Sequence, residues 1–423
     1  MISLVQWNLD RWHKLSWWLC VVTLPWIDMA NNISLILLTL GWVASGEFRL
    51  KWQRLKSSRW TWPFLLYYML LLVGLIYTPD VGNGLFTLDK KITFFILPII
   101  AATGQPMEQK FISFLTRNFV YSCVAVFLLC LVMATYFYFS GGAVSNFDIR
   151  TNESFSDAHS DASPAWMHFS YIQLAYWAGF HPGYLSMYLV FCLVILFTEN
   201  YKSRQERNIH LLLGCLLVCF LSLLATRIAI IAFIVTAAYL GMEEIKKRRA
   251  AYLPIAFATV ILIGLVWLNP VARFRVIEEP LNTNYQANQS VTNWNSVSFR
   301  LLEWQGSWSV IRAHWLTGVG TGGGKKAMHN FYSHYNSSTV DLKHNAHNQY
   351  LQVWMESGLF GLAAFLLCLI TGLFTLHKDA GYVSFVVIFS LMCLTESFGE
   401  RQKGVVFFTL FQVLFLGSIK GKE

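Results

Sequence analysis

Residues 210–242 read HLLLGCLLVCFLSLLATRIAIIAFIVTAAYLGM. Two apolar runs, His210–Leu224 and Ile228–Met242, flank a single arginine, Arg227. Continuous apolar runs of this kind read as membrane helices, not as alternating strands. An arginine at mid-span costs on the order of 3 kcal/mol on insertion scales. One retained between two such runs points to a partner or a substrate, or to snorkelling into headgroups at a span end.

The rest of the chain repeats the pattern. Of 423 residues, 55% are hydrophobic and only 13% charged, against about 25% charged in soluble domains. This excludes a disordered chain and argues against a water-soluble enzyme. Aromatics reach 16%, with 17 Trp, as interfacial belts require. The runs are too long and too continuous for a membrane β-barrel. The expected fold is therefore all-α: a polytopic membrane protein of about twelve helices. The spans are Leu15–Asp28, Ile33–Gly46, Trp62–Tyr77, Leu85–Thr103, Phe111–Phe139, Gly183–Phe197, His210–Leu224, Ile228–Met242, Tyr252–Leu268, Tyr350–Leu376, Val383–Ser397 and Val405–Ile419. The first two are expected to form a tight hairpin around Asn31–Asn32.

Basic clusters set the orientation. Arg49, Lys51, Arg54, Lys56 and Arg59 form one, Lys202, Arg204 and Arg207 a second, and Lys246, Lys247, Arg248 and Arg249 a third. The short opposite connections around Asp28–Asn32 and Thr78–Gly84 carry none. The basic loops are read as cytoplasmic, and an even number of spans puts both termini there. Two polar segments, 141–181 and 269–349, then fall outside; the larger is expected to be partly helical. No separate soluble domain is expected within 1–423. The net charge of +9 fits anionic membrane lipids and substrates better than nucleic acid. Eight cysteines all lie in apolar runs without a CxxC pair, which argues against zinc or redox chemistry. No cleavable signal peptide is expected at the start.

Several residues outside the spans could carry chemistry. His344 and His347, in HNAHNQYL, are i, i+3 neighbours where the larger segment meets a span. A neutral histidine there can take a proton from a hydroxyl; a capping pair at the interface is the bland alternative. The stretch SFRLLEW, residues 298–304, runs on to Trp308 and Arg312 as an amphipathic helix, with Arg300 and Glu303 as a helix-face pair. The run GVGTGGGKK, 318–326, fails the phosphate-loop pattern at Val319 and Lys326. It reads as a flexible turn, or as an anion nest with Lys325 beside it. No HExxH or paired-carboxylate pattern supports a metal, and no cofactor is expected. The Asp89-Lys90-Lys91 triplet fits either an internal ion pair or a headgroup contact.

One pattern is more specific. His347-Asn348, nine residues, then Gly358-Leu359-Phe360-Gly361 resembles the H[NSQ]-x9-GxxG motif of the O-antigen ligase and polymerase superfamily. The resemblance covers most of the chain, and ligase is the closer layout. It implies a GT-C-like membrane glycosyltransferase of the bacterial inner membrane with a periplasmic active site. It makes His347 the catalytic residue, matches Arg227 and Arg300 to the family's essential arginines, and implies an inverting reaction without a metal. The donor implied is a glycan on undecaprenyl pyrophosphate, and the acceptor lipid A–core or another glycan. His344, Asn348, Arg312 and Lys325 are then candidate substrate-binding residues. The motif does not separate a ligase from a polymerase, whose acceptor is lipid-linked, or from a protein-glycan transferase. A lipid-linked glycan transporter is the rival from another class, but no related halves are visible.

Overall fold

The computed structural model describes residues 2–140, 164–176, 179, 181–199, 203–247, 252–283, 295–332 and 345–417. Every regular element among them is helical. The chain divides into two compact units.

The first unit comprises Met1–Phe119, Leu302–His377 and Cys393–Glu423. It opens with a helical hairpin, Ile2–Thr23 and Asp28–Ala44. The turn is at Leu24–Ile27, four residues before the expected place, and Asn31 lies inside the second helix. Pro25 ends the first helix by removing a donor. The buried Asn31 then donates to the Cys20 carbonyl at 3.0 Å, tying the hairpin shut. Further on, Trp62–Gly74 packs against Gln349–Ile370, and Thr93–Thr103 against Gln402–Gly417. Phe64, Tyr67, Phe94, Phe365 and Phe408 interlock there, in ring pairs with centroids 5.0–6.5 Å apart. The helix Gln402–Gly417 is apolar on all sides and buried along nearly its whole length, as such a helix must be.

The second unit comprises Val120–Leu301 and Lys378–Met392. Its centre is Pro182–Thr198, buried continuously from Pro182 to Leu196. Arg204–Leu224, Arg227–Lys246 and Ala380–Met392 surround it. Phe127 stacks on Phe220 at 4.4 Å, and Phe191 meets Phe385 at 5.3 Å.

Among the described residues, four helices are long and apolar enough to cross a membrane: Gln109–Phe139, Arg204–Leu224, Arg227–Lys246 and Gln349–Leu376. Two bent pairs raise the number to six. These are Asp28–Ala44 with Phe48–Ser57, at 111°, and Tyr252–Leu268 with Pro270–Leu281, at 96°. The other expected spans fall on shorter helices, except Leu15–Asp28, which overlaps the 22-residue helix Ile2–Thr23. Trp62–Gly74 has 13 residues, or about 20 Å at 1.5 Å per residue, against a hydrocarbon core of about 30 Å. The expected span Leu85–Thr103 is interrupted at Ile92, just after Lys90 and Lys91.

Candidate functional site

In the first unit, chemistry gathers where residues 345–349 enter the helix Gln349–Ile370. His347 has φ +40°, a left-handed conformation that non-glycine residues rarely hold without support. The support is dense. The His347 N–H donates to Asn345 Oδ1 at 3.0 Å. The Ala346 N–H donates to Gln352 Oε1 at 3.0 Å. Asn348 Oδ1 caps the helix by accepting from the Tyr350 and Leu351 N–H groups at 3.0 and 3.1 Å.

The same residues grip the segment 393–400. Asn348 Nδ2 donates to the Leu394 carbonyl at 3.0 Å, and the Gln349 N–H to that of Cys393 at 2.8 Å. The Gly399 N–H donates to Gln349 Oε1 at 2.6 Å. Both functions of the Asn348 amide are thereby engaged within the protein. The outcome is that Glu396 meets His347: Nδ1 lies 3.1 Å from Oε2. Glu303 approaches from another side, its Oε1 3.9 Å from Nε2, too far for a hydrogen bond. His347 keeps 27% of its side-chain surface exposed, while Glu303 and Glu396 keep 5% and 10%. The imidazole is thus accessible, and its two carboxylates are not.

This arrangement suits a general base. When a neutral imidazole directs its Nδ1 proton to Glu396, the lone pair stands on Nε2, ready to take a proton. Tyr332 lies close to the same cluster. Its hydroxyl is buried without a hydrogen-bond partner among the described residues. Burial, with the Glu303 carboxylate nearby, pushes its phenol above the usual range.

The glycine run is no flexible turn. Residues 318–324 are mostly buried and clasp the His347 helix. The Val319 N–H donates to the Met355 carbonyl at 2.9 Å and the Gly320 N–H to that of Glu356 at 3.0 Å. Those carbonyls are released because Gly358, at φ 65° and ψ −167°, breaks the helix. A Cβ on Gly358 would meet the Leu316 carbonyl oxygen at 2.1 Å. The first glycine of the GxxG pattern is thus a backbone requirement of the clasp. Lys325 is exposed just beyond it, within electrostatic range of Lys90. Lys91 Nζ bonds to Glu400 Oε1 at 2.7 Å with both groups buried, so this triplet forms an internal ion pair. Arg312 is exposed, its guanidinium 5.6 Å from the Trp308 ring centroid. His344 lies outside the described residues.

In the second unit, Arg227 is the first residue of Arg227–Lys246. Ala225, in the left-handed conformation, ends the preceding helix. The arginine therefore stands at a helix end and not at mid-span. Its Nε and Nη2 reach the Arg275 carbonyl and Glu279 Oε2, and Nη2 also donates to Ser296 Oγ at 3.0 Å. Glu279 is buried and accepts from the Ser296 N–H and Oγ–H at 3.0 and 2.9 Å. Arg275 is buried on a π-helical turn, 3.3 Å above the Tyr171 ring. Its Nη1 has no hydrogen-bond partner among the described residues. Arg275 and Arg300 both lie within electrostatic range of Arg227. Three guanidinium groups thus lie near one buried carboxylate at a helix N-terminus.

Sequence reasoning missed Glu396, Glu279 and Arg275. Glu396 had a signal: an acidic residue inside an apparent span is functional by default. Among the described residues, no group of three His, Cys, Asp or Glu side chains could hold a metal ion.

No curated protein matches the chain. Residues 211–366, which include Arg227, Arg300, Glu303, His347 and Gly358, match a family model described as O-antigen ligase. Together with the long apolar helices, that match supports a membrane protein of the O-antigen ligase superfamily, with ligase- or polymerase-type function in general.

Proposed function

We propose that this chain is an O-antigen ligase. It transfers a glycan from undecaprenyl pyrophosphate to a sugar hydroxyl of lipid A–core, on the periplasmic face of the bacterial inner membrane. The observation that carries the reading is the partly exposed His347, held in a left-handed turn with Nδ1 on Glu396, inside the family-matched stretch.

The chemistry assigns a role to each residue. The acceptor oxygen attacks the anomeric carbon and forms the new glycosidic bond. The bond from that carbon to the pyrophosphate oxygen breaks, and its electron pair leaves with the pyrophosphate. The hydroxyl proton goes to His347 Nε2. Charge growing on the leaving group is met by guanidinium groups, which bind phosphate oxygens bidentately; Arg227 and Arg300 take this role, and Arg275 reinforces it. Attack opposite the leaving group inverts the anomeric centre.

The same reading keeps twelve spans, both termini cytoplasmic and residues 141–181 and 269–349 periplasmic. Reporter fusions after Arg207 and His329 should give cytoplasmic and periplasmic signals respectively. Deleting the gene should leave polymerised glycan on the lipid carrier and bare core on lipid A. Single repeats on the core would instead identify a polymerase.

A further inference from the structure

A cavity of about 360 Å³ opens between Pro182–Thr198, Arg204–Leu224 and Tyr252–Leu268, within the second unit. Its lining is apolar, with Leu211, Val218, Phe257 and Ile261 on its walls. The buried His210 also lines it, and is occupied by Glu199 Oε2 at 3.2 Å and by the Glu206 carbonyl at 2.7 Å. Gly214 forms part of the wall, and a Cβ there would meet nothing within 4 Å. The space is empty of side chains because the helix carries a glycine facing it.

The rim is basic. Arg204, Arg207, Leu211, Gly214 and Val218 follow one another at three- and four-residue steps, so they share one helix face. The two arginines are exposed, at the N-terminus of that helix. Arg207 precedes Val218 by about 16 Å of helix rise. One face therefore offers two guanidinium groups and a helix dipole at its start, then an apolar slot along its length. Basic pockets between membrane helices on the cytoplasmic side suit anionic lipid headgroups.

We infer that this slot holds an anionic phospholipid of the cytoplasmic leaflet. Its phosphate sits at Arg204 and Arg207, and one acyl chain lies in the cavity beside Gly214. This occupant is distinct from the glycan donor and acceptor, and does not depend on their identity.

The test is native mass spectrometry of the full chain, purified in detergent, delipidated and given phosphatidylglycerol or phosphatidylcholine of identical acyl chains. The wild type should retain phosphatidylglycerol about fivefold to thirtyfold more than phosphatidylcholine, the range expected for two surface arginines. The double substitution Arg204→Gln, Arg207→Gln should abolish that preference. Gly214→Leu, which fills the slot with a better helix former, should reduce retention of both lipids. Equal retention of the two lipids by the wild type would overturn the inference. So would unchanged phosphatidylglycerol binding in both variants. Displacement of the lipid by glycerol phosphate alone would likewise overturn it, by showing a small-anion site with no use of the cavity.

Discussion

Nδ1 of His347 lies 3.1 Å from a carboxylate oxygen of Glu396. The two residues are held together by the main chain as much as by their own bond, since Asn348 and Gln349 grip Leu394, Cys393 and Gly399. The pair predicts a pH signature. A carboxylate beside an imidazole favours the charged ring, so replacing it should make the ring easier to deprotonate. Glu396→Gln should therefore move the acid limb of transfer activity to lower pH, while lowering the plateau because the ring loses its orientation. An unmoved limb with a normal plateau would remove Glu396 from the site. Glu303→Gln should shift the limb in the same direction by less, given its 3.9 Å separation.

His347→Ala should reduce transfer by about 10²–10⁴-fold, the usual contribution of a general base. Expression and donor retention should be unchanged, because no donor contact is assigned to it. His344→Ala should cost less, since the HN-x9-GxxG spacing selects His347. A side-by-side transfer assay at matched membrane levels decides between them. A dead His344→Ala with an active His347→Ala would move the base to the other histidine.

Gly358→Ala should destabilise the chain sharply. The new Cβ would enter the Leu316 carbonyl, and the φ of +65° is strained for any side chain. The clasp of 318–324 would separate from the helix, so thermal unfolding should begin at lower temperature even with the donor present. Gly264→Ala is the control, since nothing lies within 4 Å of a Cβ there.

Arg227 stood out as an ionisable residue beside an apolar run, and only the HN-x9-GxxG spacing singled out His347 from its neighbour His344 as a candidate. Glu396 was hidden by its flanks. The run Val383–Ser397 reads as one span, whereas the helix stops at Met392 and leaves Thr395-Glu396-Ser397 in a turn. The glycine run misled for the opposite reason. Consecutive glycines look flexible, but their missing side chains let the backbone lie against a broken helix, where its N–H groups find carbonyls. Arg275 and Glu279 are charged residues in a segment expected to be polar, so nothing in their spacing announced a π-helical turn. The shortness of many helices was equally invisible. Hydropathy does not register a break such as that at Ile92, where helical backbone continues on both sides.

Charge and geometry are separable in the arginine cluster. Arg227 makes three contacts through two nitrogens: the Arg275 carbonyl, Glu279 and Ser296. A lysine keeps the charge but presents a single ammonium without the planar fork. Arg227→Lys should therefore leave insertion and expression intact and still lose most transfer. Arg227→Ala should do more, because it removes the cation hydrogen-bonded to the buried Glu279 carboxylate, a change that typically costs several kcal/mol. That destabilisation is separable from catalysis by pairing it with Glu279→Gln. The double variant should recover thermal stability and remain inactive. Should Arg227→Ala, Glu279→Gln recover transfer as well as stability, the arginine would be a structural counter-ion of Glu279, and the leaving-group role would pass to Arg275 and Arg300.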